Sequence, residues 1–160
     1  MEHFGKYLIN QVHQANPNTI LRCEGCSNEE IEILMRDQGI ERLPRLYREY
    51  LEVMGKQGIM SLNLGSDWSY QRLLRIKQDW QDEIVREKVT FIIPEKAFVF
   101  FQHGGYEYRY FMTDTDYDDD GDCPTYLCLE EDTEQGYHVS VSSTLREYFE
   151  SHADWWSKIE

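Results

Sequence analysis

The chain has 160 residues, with 30 Asp plus Glu against 16 Lys plus Arg and a formal net charge of -14. A surface this acidic repels phosphate backbones and anionic lipid headgroups, which excludes nucleic-acid and membrane-surface binding. The length fits a single domain, 1–160, and 41% hydrophobic with 14% aromatic residues fits a packed core rather than a disordered acidic tail.

The opening residues MEHFGKYLINQ carry Glu2 and no unbroken apolar run, so no secretory signal is expected. No stretch approaches the roughly 18–20 apolar residues of a membrane span. The expectation is a soluble cytoplasmic protein whose four cysteines, Cys23, Cys26, Cys123 and Cys128, stay reduced. After a polar lead containing Asn16-Pro17-Asn18, Ser27 and Glu30 have the spacing of a capping box, with Ile31, Leu34 and Met35 behind them at helical spacing and Gly39 as the stop. Leu43-Pro44 opens a second helix with proline at its first position, apolar along Leu46, Tyr47, Tyr50, Val53 and Met54 and ended by Gly55 and Gly58. Met60, Leu62 and Leu64 alternate as a short strand, and a third helix is predicted from about Ser69 to Glu87 with Leu73, Ile76, Trp80 and Ile84 as its stripe.

The second half reads as β-rich. Val89–Ile93 and Phe98–Phe101 are β-branched and aromatic, and Gly104-Gly105 signals a two-residue hairpin between Phe98–His103 and Tyr106–Thr113. Strands are predicted at Thr125–Leu129 and Tyr137–Val141. A closing helix starts at a second capping box, Thr144 with Glu147, and carries Leu145, Phe149, His152, Trp156 and Ile159 as its core stripe. Helices, then strands, then a helix imply an α+β fold with a largely antiparallel sheet, N-terminal helices and a closing C-terminal helix.

Charge is distributed unevenly. Residues 1–113 carry 14 Lys plus Arg and 16 Asp plus Glu, a balance of -2, whereas residues 114–160 carry 2 and 14, a balance of -12. The densest acidic run is DTDYDDDGD, with Asp114, Asp116, Asp118, Asp119, Asp120 and Asp122. Asp116, Asp118, Asp120 and Gly121 match the first half of a calcium loop, but its twelfth position, which needs a bidentate Glu, is Leu127. Cys23-x-x-Cys26 with Cys123 and Cys128 lacks the second tight knuckle of a four-thiolate zinc site. His103-Gly104-Gly105 is similar to an esterase oxyanion segment, yet the chain has no G-x-S-x-G elbow to accompany it. No catalytic residue, metal or cofactor is therefore assigned. Tyr and Trp are the anchors of protein interfaces, and Trp68 and Trp155 are the tryptophans expected to be partly exposed beside the acidic run.

Four segments in fixed order resemble the SUKH superfamily of Smi/Knr-type domains over residues 27–150. IERLPRLYREYLEVMGKQG is similar to its leucine-proline helix and glycine turn, AFVFFQHGGYEYRYFMTD to its central hairpin, GDCPTYLCLEED to its acidic loop and following strand, and SSTLREYFE to its closing helix. Met54-Gly55 stands where the family usually has Asn-Gly, and Leu145 where it usually has Phe. The resemblance implies an α+β binding domain without a catalytic centre. Bacterial single-domain members are immunity proteins of toxin–antitoxin type that bind and neutralise a cognate toxin, often a nuclease; other members are regulatory scaffolds of the cell-wall-regulator kind. An acidic inhibitor suits a basic nuclease toxin, so the aspartates above, with Trp68 and Trp155, are the expected partner-binding residues.

Overall fold

The computed structural model describes residues 1–159 and is an α+β fold of six helices and one five-stranded antiparallel sheet. The first helix, α1 (Phe4–Ala15), occupies the segment that reads as a polar lead. Phe4, Leu8 and Val12 recur at intervals of four and are all buried, which was the available signal. Gly5 permits α1 to lie directly on α3 (Arg45–Met54), because a Cβ at this position would stand 2.7 Å from the Glu49 carbonyl oxygen. Between them, α2 (Asn28–Asp37) begins at the expected capping box: Ser27 Oγ accepts from Glu30 N at 3.2 Å and Glu30 Oε2 accepts from Ser27 N at 2.8 Å. Pro44 is the N-cap of α3 and not its first helical residue. Leu51 joins Leu46, Tyr47, Tyr50 and Met54 in the buried face of that helix, and Val53 is only half-buried.

Three expectations fail in the middle of the chain. Residues 60–64 form tight turns rather than a strand, with Ser61 Oγ accepting from Gly58 N and Asn63 N donating to Met60 O, and Leu64 left exposed. The strand there is β1, only Ser66–Asp67. The single helix over 69–87 is two, α4 (Tyr70–Leu73) and α5 (Ile76–Arg86). Arg75 between them takes a left-handed φ of 69°, and its N–H is captured by Asp37 Oδ2 at 2.7 Å, a tertiary bond that overrides the helical periodicity. Leu73, Ile76, Trp80 and Ile84 nevertheless all face the core. Residues 89–93 are not a strand either. Thr90 and Phe91 donate to the carbonyls of Glu134 and Gln135, and Pro94, which has no N–H to offer a ladder, follows.

The sheet is a meander in the order β1-β2-β3-β4-β5, with β2 Ala97–His103, β3 Glu107–Met112, β4 Pro124–Glu130 and β5 Tyr137–Thr144. The β2–β3 connection is three residues, not two: Gly104 and Gly105 have φ of 59° and 78°, and His103 pairs with Glu107 beyond Tyr106. Tyr47 sits on one face of the sheet, with ring centroids 5.2 Å from Phe98, 5.1 Å from Phe111 and 6.2 Å from Phe149 of α6 (Leu145–Ser157). On the other face Trp80 of α5 stacks on Tyr108 at 4.1 Å and meets Tyr137 edge-on. Helices therefore cover the two faces unequally: α1, α3 and α6 on one, α5 and the 89–93 segment on part of the other. The cap of α6 is as expected, with Thr144 and Glu147 reciprocally bonded. Its buried face is Leu145, Tyr148, Phe149 and Ala153; His152 and Trp156 are half-buried flanks and Ile159 is exposed. No helix among the described residues is long and apolar enough to cross a membrane.

Candidate functional site

The acidic run forms the connection from β3 to β4, and two arginines on either side of Leu43-Pro44 hold it. Arg42 donates through Nε to Thr113 O at 3.0 Å and through Nη2 to Thr115 O, and its guanidinium lies 4.7 Å from the centre of the Tyr117 ring. Arg45 donates to Asp120 O and also pairs with Glu49 at 2.8 Å, while Leu46 N donates to Gly121 O. Gly121, at φ 73°, lies so close to α3 that a Cβ would stand 2.6 Å from that of Arg45. Both arginines bond backbone carbonyls of the loop. Among the described residues, Asp114, Asp116, Asp118, Asp119 and Asp120 are exposed and take part in no ion pair, so their charge faces solvent unneutralised.

Asp122 departs from the expected binding set. It is buried, at 8% exposure, and its Oδ1 accepts from Cys123 N at 2.9 Å and from Arg146 N in the first turn of α6 at 3.1 Å. That carboxylate anchors the closing helix to the loop, as an acidic group at a helix N-terminus does. Asp118 has a mixed role, exposed but accepting from Asp122 N at 2.8 Å across the turn. The tryptophans are not part of this surface. Trp68 follows β1 at the far edge of the sheet and is half-buried against the core. Trp155 is 47% exposed but stands ten residues along α6, about 15 Å by helical rise, from the end that Asp122 holds.

A second acidic turn, Glu130, Glu131, Asp132 and Glu134, joins β4 to β5 and is equally free of ion pairs among the described residues. Its charges are part of the C-terminal excess, but only the topology shows that the two acidic turns flank one ribbon. β4 spans seven residues, about 20 Å, between them.

Three of the four thiols are withdrawn from solvent, Cys123 directly behind the acidic loop. Cys23 is exposed, whereas Cys26, Cys123 and Cys128 are buried, and burial raises their pKa values to about 11, 12 and 12, holding each in the thiol form. Among the described residues no three His, Cys, Asp or Glu side chains converge on a point where a metal ion could sit. A cavity of about 450 Å³ opens under α6 near β1, lined by Ser66, His103, Glu107, Arg109, Tyr148 and His152 among others. Its polar groups are already paired. Ser66 Oγ lies 2.7 Å from His103 Nδ1, Arg109 reaches Glu107 at 3.1 Å and Ser142 at 3.3 Å, and His152 Nδ1 lies 2.8 Å from Tyr148 O. Burial, with the Arg109 charge nearby, lowers the His152 pKa. No carboxylate among the described residues bonds His103 to complete a nucleophile's relay, so the cavity has no assembled catalytic set.

No family model matches the chain, and no curated protein matches it.

What the arrangement offers chemically is a charged surface. The β3–β4 loop presents carboxylates on a backbone tied down at Thr113, Thr115, Asp120 and Gly121.

Proposed function

We propose that the protein is a non-enzymatic binding protein that neutralises a basic protein partner through the exposed carboxylates of Asp114, Asp116, Asp118, Asp119 and Asp120. The observation that carries this reading is the inverted use of charge in the β3–β4 loop. Its neighbouring arginines hold the main chain and leave the side-chain carboxylates without a cationic partner among the described residues. A loop that were merely a solvated connection would gain stability by pairing its aspartates with Arg42 and Arg45; here the carboxylates are left for a positively charged surface.

The resemblance to SUKH immunity proteins supplies the kind of partner: a toxin, and one with a basic, nucleic-acid-binding surface fits the charge best. In this reading the protein acts in the cytoplasm, holds no cofactor, and binds neither nucleic acid nor membrane. Rapid, electrostatically steered capture is what neutralising a toxin requires. Co-expression with a toxic domain, where one is encoded beside it, tests the proposal: cells survive and a complex of the two proteins is isolated. Survival without a complex contradicts direct neutralisation.

A further inference from the structure

The two outer edges of the sheet differ in what covers them. On the β2 side, Gln38, which is 2% exposed, donates to Val99 O at 2.8 Å and accepts from Val99 N at 2.7 Å, and Lys77 donates to Ala97 O at 2.8 Å. The short strand β1 then pairs with Gln102 and His103. On the β5 side, Thr90 and Phe91 reach only the turn carbonyls of Glu134 and Gln135. Among the described residues, no backbone hydrogen bond from another element reaches 138–143 beyond the β4 ladder.

The direction of the free groups follows from two bonds. Glu131 N donates to Gly136 O and Glu130 N donates to Tyr106 O, so residue 130 turns its amide to β3 and is not hydrogen-bonded to Tyr137. Antiparallel pairs alternate, which makes Leu129 with His138 and Leu127 with Ser140 the bonded pairs. Val139 and Val141 therefore point their N–H and C=O groups outward. Beyond them two β5 residues, Ser142 and Ser143, oppose Thr125 in a bulge, and Thr125 Oγ1 closes it onto Ser143 O at 2.6 Å. The open stretch is accordingly 137–141.

Nothing in this stretch protects it. Tyr137–Thr144 contains no Lys, Arg, Asp, Glu, Pro or Gly, the devices by which edge strands usually avoid other chains, and Val141 is 69% exposed. The protection lies at its two ends instead. The Thr144 end pairs with Pro124, which follows the Asp114–Asp120 loop, and the Tyr137 end pairs with Glu130, which begins the Glu130–Glu134 turn. A second copy of the chain adding its own β5 would set these acidic turns against each other, opposite turns in an antiparallel pair and like turns in a parallel one. Only a strand from a basic protein brings favourable charge to both ends.

We propose that the β5 edge, over Tyr137–Val141, is a docking edge that accepts an extended strand of the basic partner, with Lys or Arg residues on either side of that strand engaging the two acidic turns. The inference rests on the acidic-surface reading above and deepens it. Main-chain bonds at Val139 and Val141 supply register and affinity, as in other cases of strand addition, and the flanking carboxylates select the partner's charge.

The test uses the full chain and a synthetic peptide of alternating threonine and valine with two lysines at each end, alongside the same peptide N-methylated at alternate backbone nitrogens. Amide exchange read by NMR is expected to slow at Val139 and Val141 when the unmodified peptide is added, and the N-methylated peptide is expected not to bind. Val141→Pro removes an outward N–H that β4 does not use, and is expected to weaken peptide binding about tenfold, the worth of one hydrogen bond, while the thermal transition stays cooperative. Equal binding of both peptides without protection overturns the edge inference and leaves the acidic-loop reading standing. No binding of either peptide at low ionic strength also overturns it, while the survival assay reports separately on the acidic-loop reading. Protection at Val139 and Val141 that grows with protein concentration in the absence of peptide assigns the edge to a second copy, and overturns it as well.

Discussion

At the β2 edge of the sheet, Gln38 and Lys77 occupy the outward groups of Val99 and Ala97; at the β5 edge, the outward groups of Val139 and Val141 face solvent. The first edge is sealed by Gln38, which caps the C-terminus of α2, and by Lys77 of α5, and its Ala97 and Val99 are fully buried. The second is bare, yet it lies between the acidic turns of 114–120 and 130–134. The difference separates two ways of preventing unwanted strand pairing. One satisfies the backbone internally and closes the site to any partner. In the reading proposed above, the other leaves the backbone open and uses like charge to exclude copies of the same chain, which keeps the edge available to a basic protein.

Substitutions at the two edges should have unequal consequences. The largest is expected from Gln38→Ala, which leaves the N–H and C=O of Val99 buried without partners and costs about 3 kcal/mol of stability, read as a lower denaturation midpoint. A cost below about 1 kcal/mol would mean that the sealed edge is not sealed by this residue. Lys77→Met is next. Its ammonium donates to the carbonyls of Gln38, Glu95 and Ala97, and their loss should cost about 2 kcal/mol, less what is regained by no longer burying a charge.

Acid should also distinguish the regions, and by a smaller amount. His152, on α6 above the sealed side, faces the Arg109 guanidinium and its own helix's Tyr148 carbonyl, and burial sets its folded pKa below the ordinary 6.5. The unfolded chain then binds its proton first, so stability is expected to fall as pH drops below 6.5 and to level off once pH passes the folded value. His152→Gln should flatten that slope in pH-dependent melting curves. The smallest stability effect is expected from Val141→Pro, at about 1 kcal/mol or less, because the proline replaces an amide that bonds nothing in the free protein. A large loss of stability there would show that the edge has an internal role and would erase the contrast.

Local signals carried much of the architecture. Both capping boxes, Ser27 with Glu30 and Thr144 with Glu147, are formed, and the strands around Phe98–His103, Thr125–Leu129 and Tyr137–Val141 stand where period and residue type place them. The failures are positions where a distant partner decides. Asp37 captures the Arg75 amide and breaks a helix whose apolar stripe is otherwise continuous. Thr90 and Phe91 use their N–H groups on a turn rather than a ladder. The spacing of Phe4, Leu8 and Val12 in α1 is obscured by Gly5 and by the five polar residues between and after them.

The acidic loop was legible as composition, but its internal division was not. Spacing alone does not reveal that Asp122 turns inward to hold Arg146 N while Asp119 and Asp120 stay exposed, nor that Arg42 and Arg45 grip carbonyls instead of carboxylates. The open edge was equally hidden, because strand order is a property of the assembled sheet.

The central claim is that the loop's free carboxylates steer a basic partner onto the protein, and association kinetics test it most directly. Asp114, Asp116, Asp119 and Asp120 are the carboxylates whose side chains make no hydrogen bond or ion pair among the described residues, so replacing all four with Asn should leave the fold intact. Stopped-flow mixing of this variant with a toxic domain that the parent protein neutralises in the survival assay is predicted to show an association rate about tenfold lower at low ionic strength, with a flattened dependence on salt. An association rate and salt dependence equal to those of the parent protein would contradict the account.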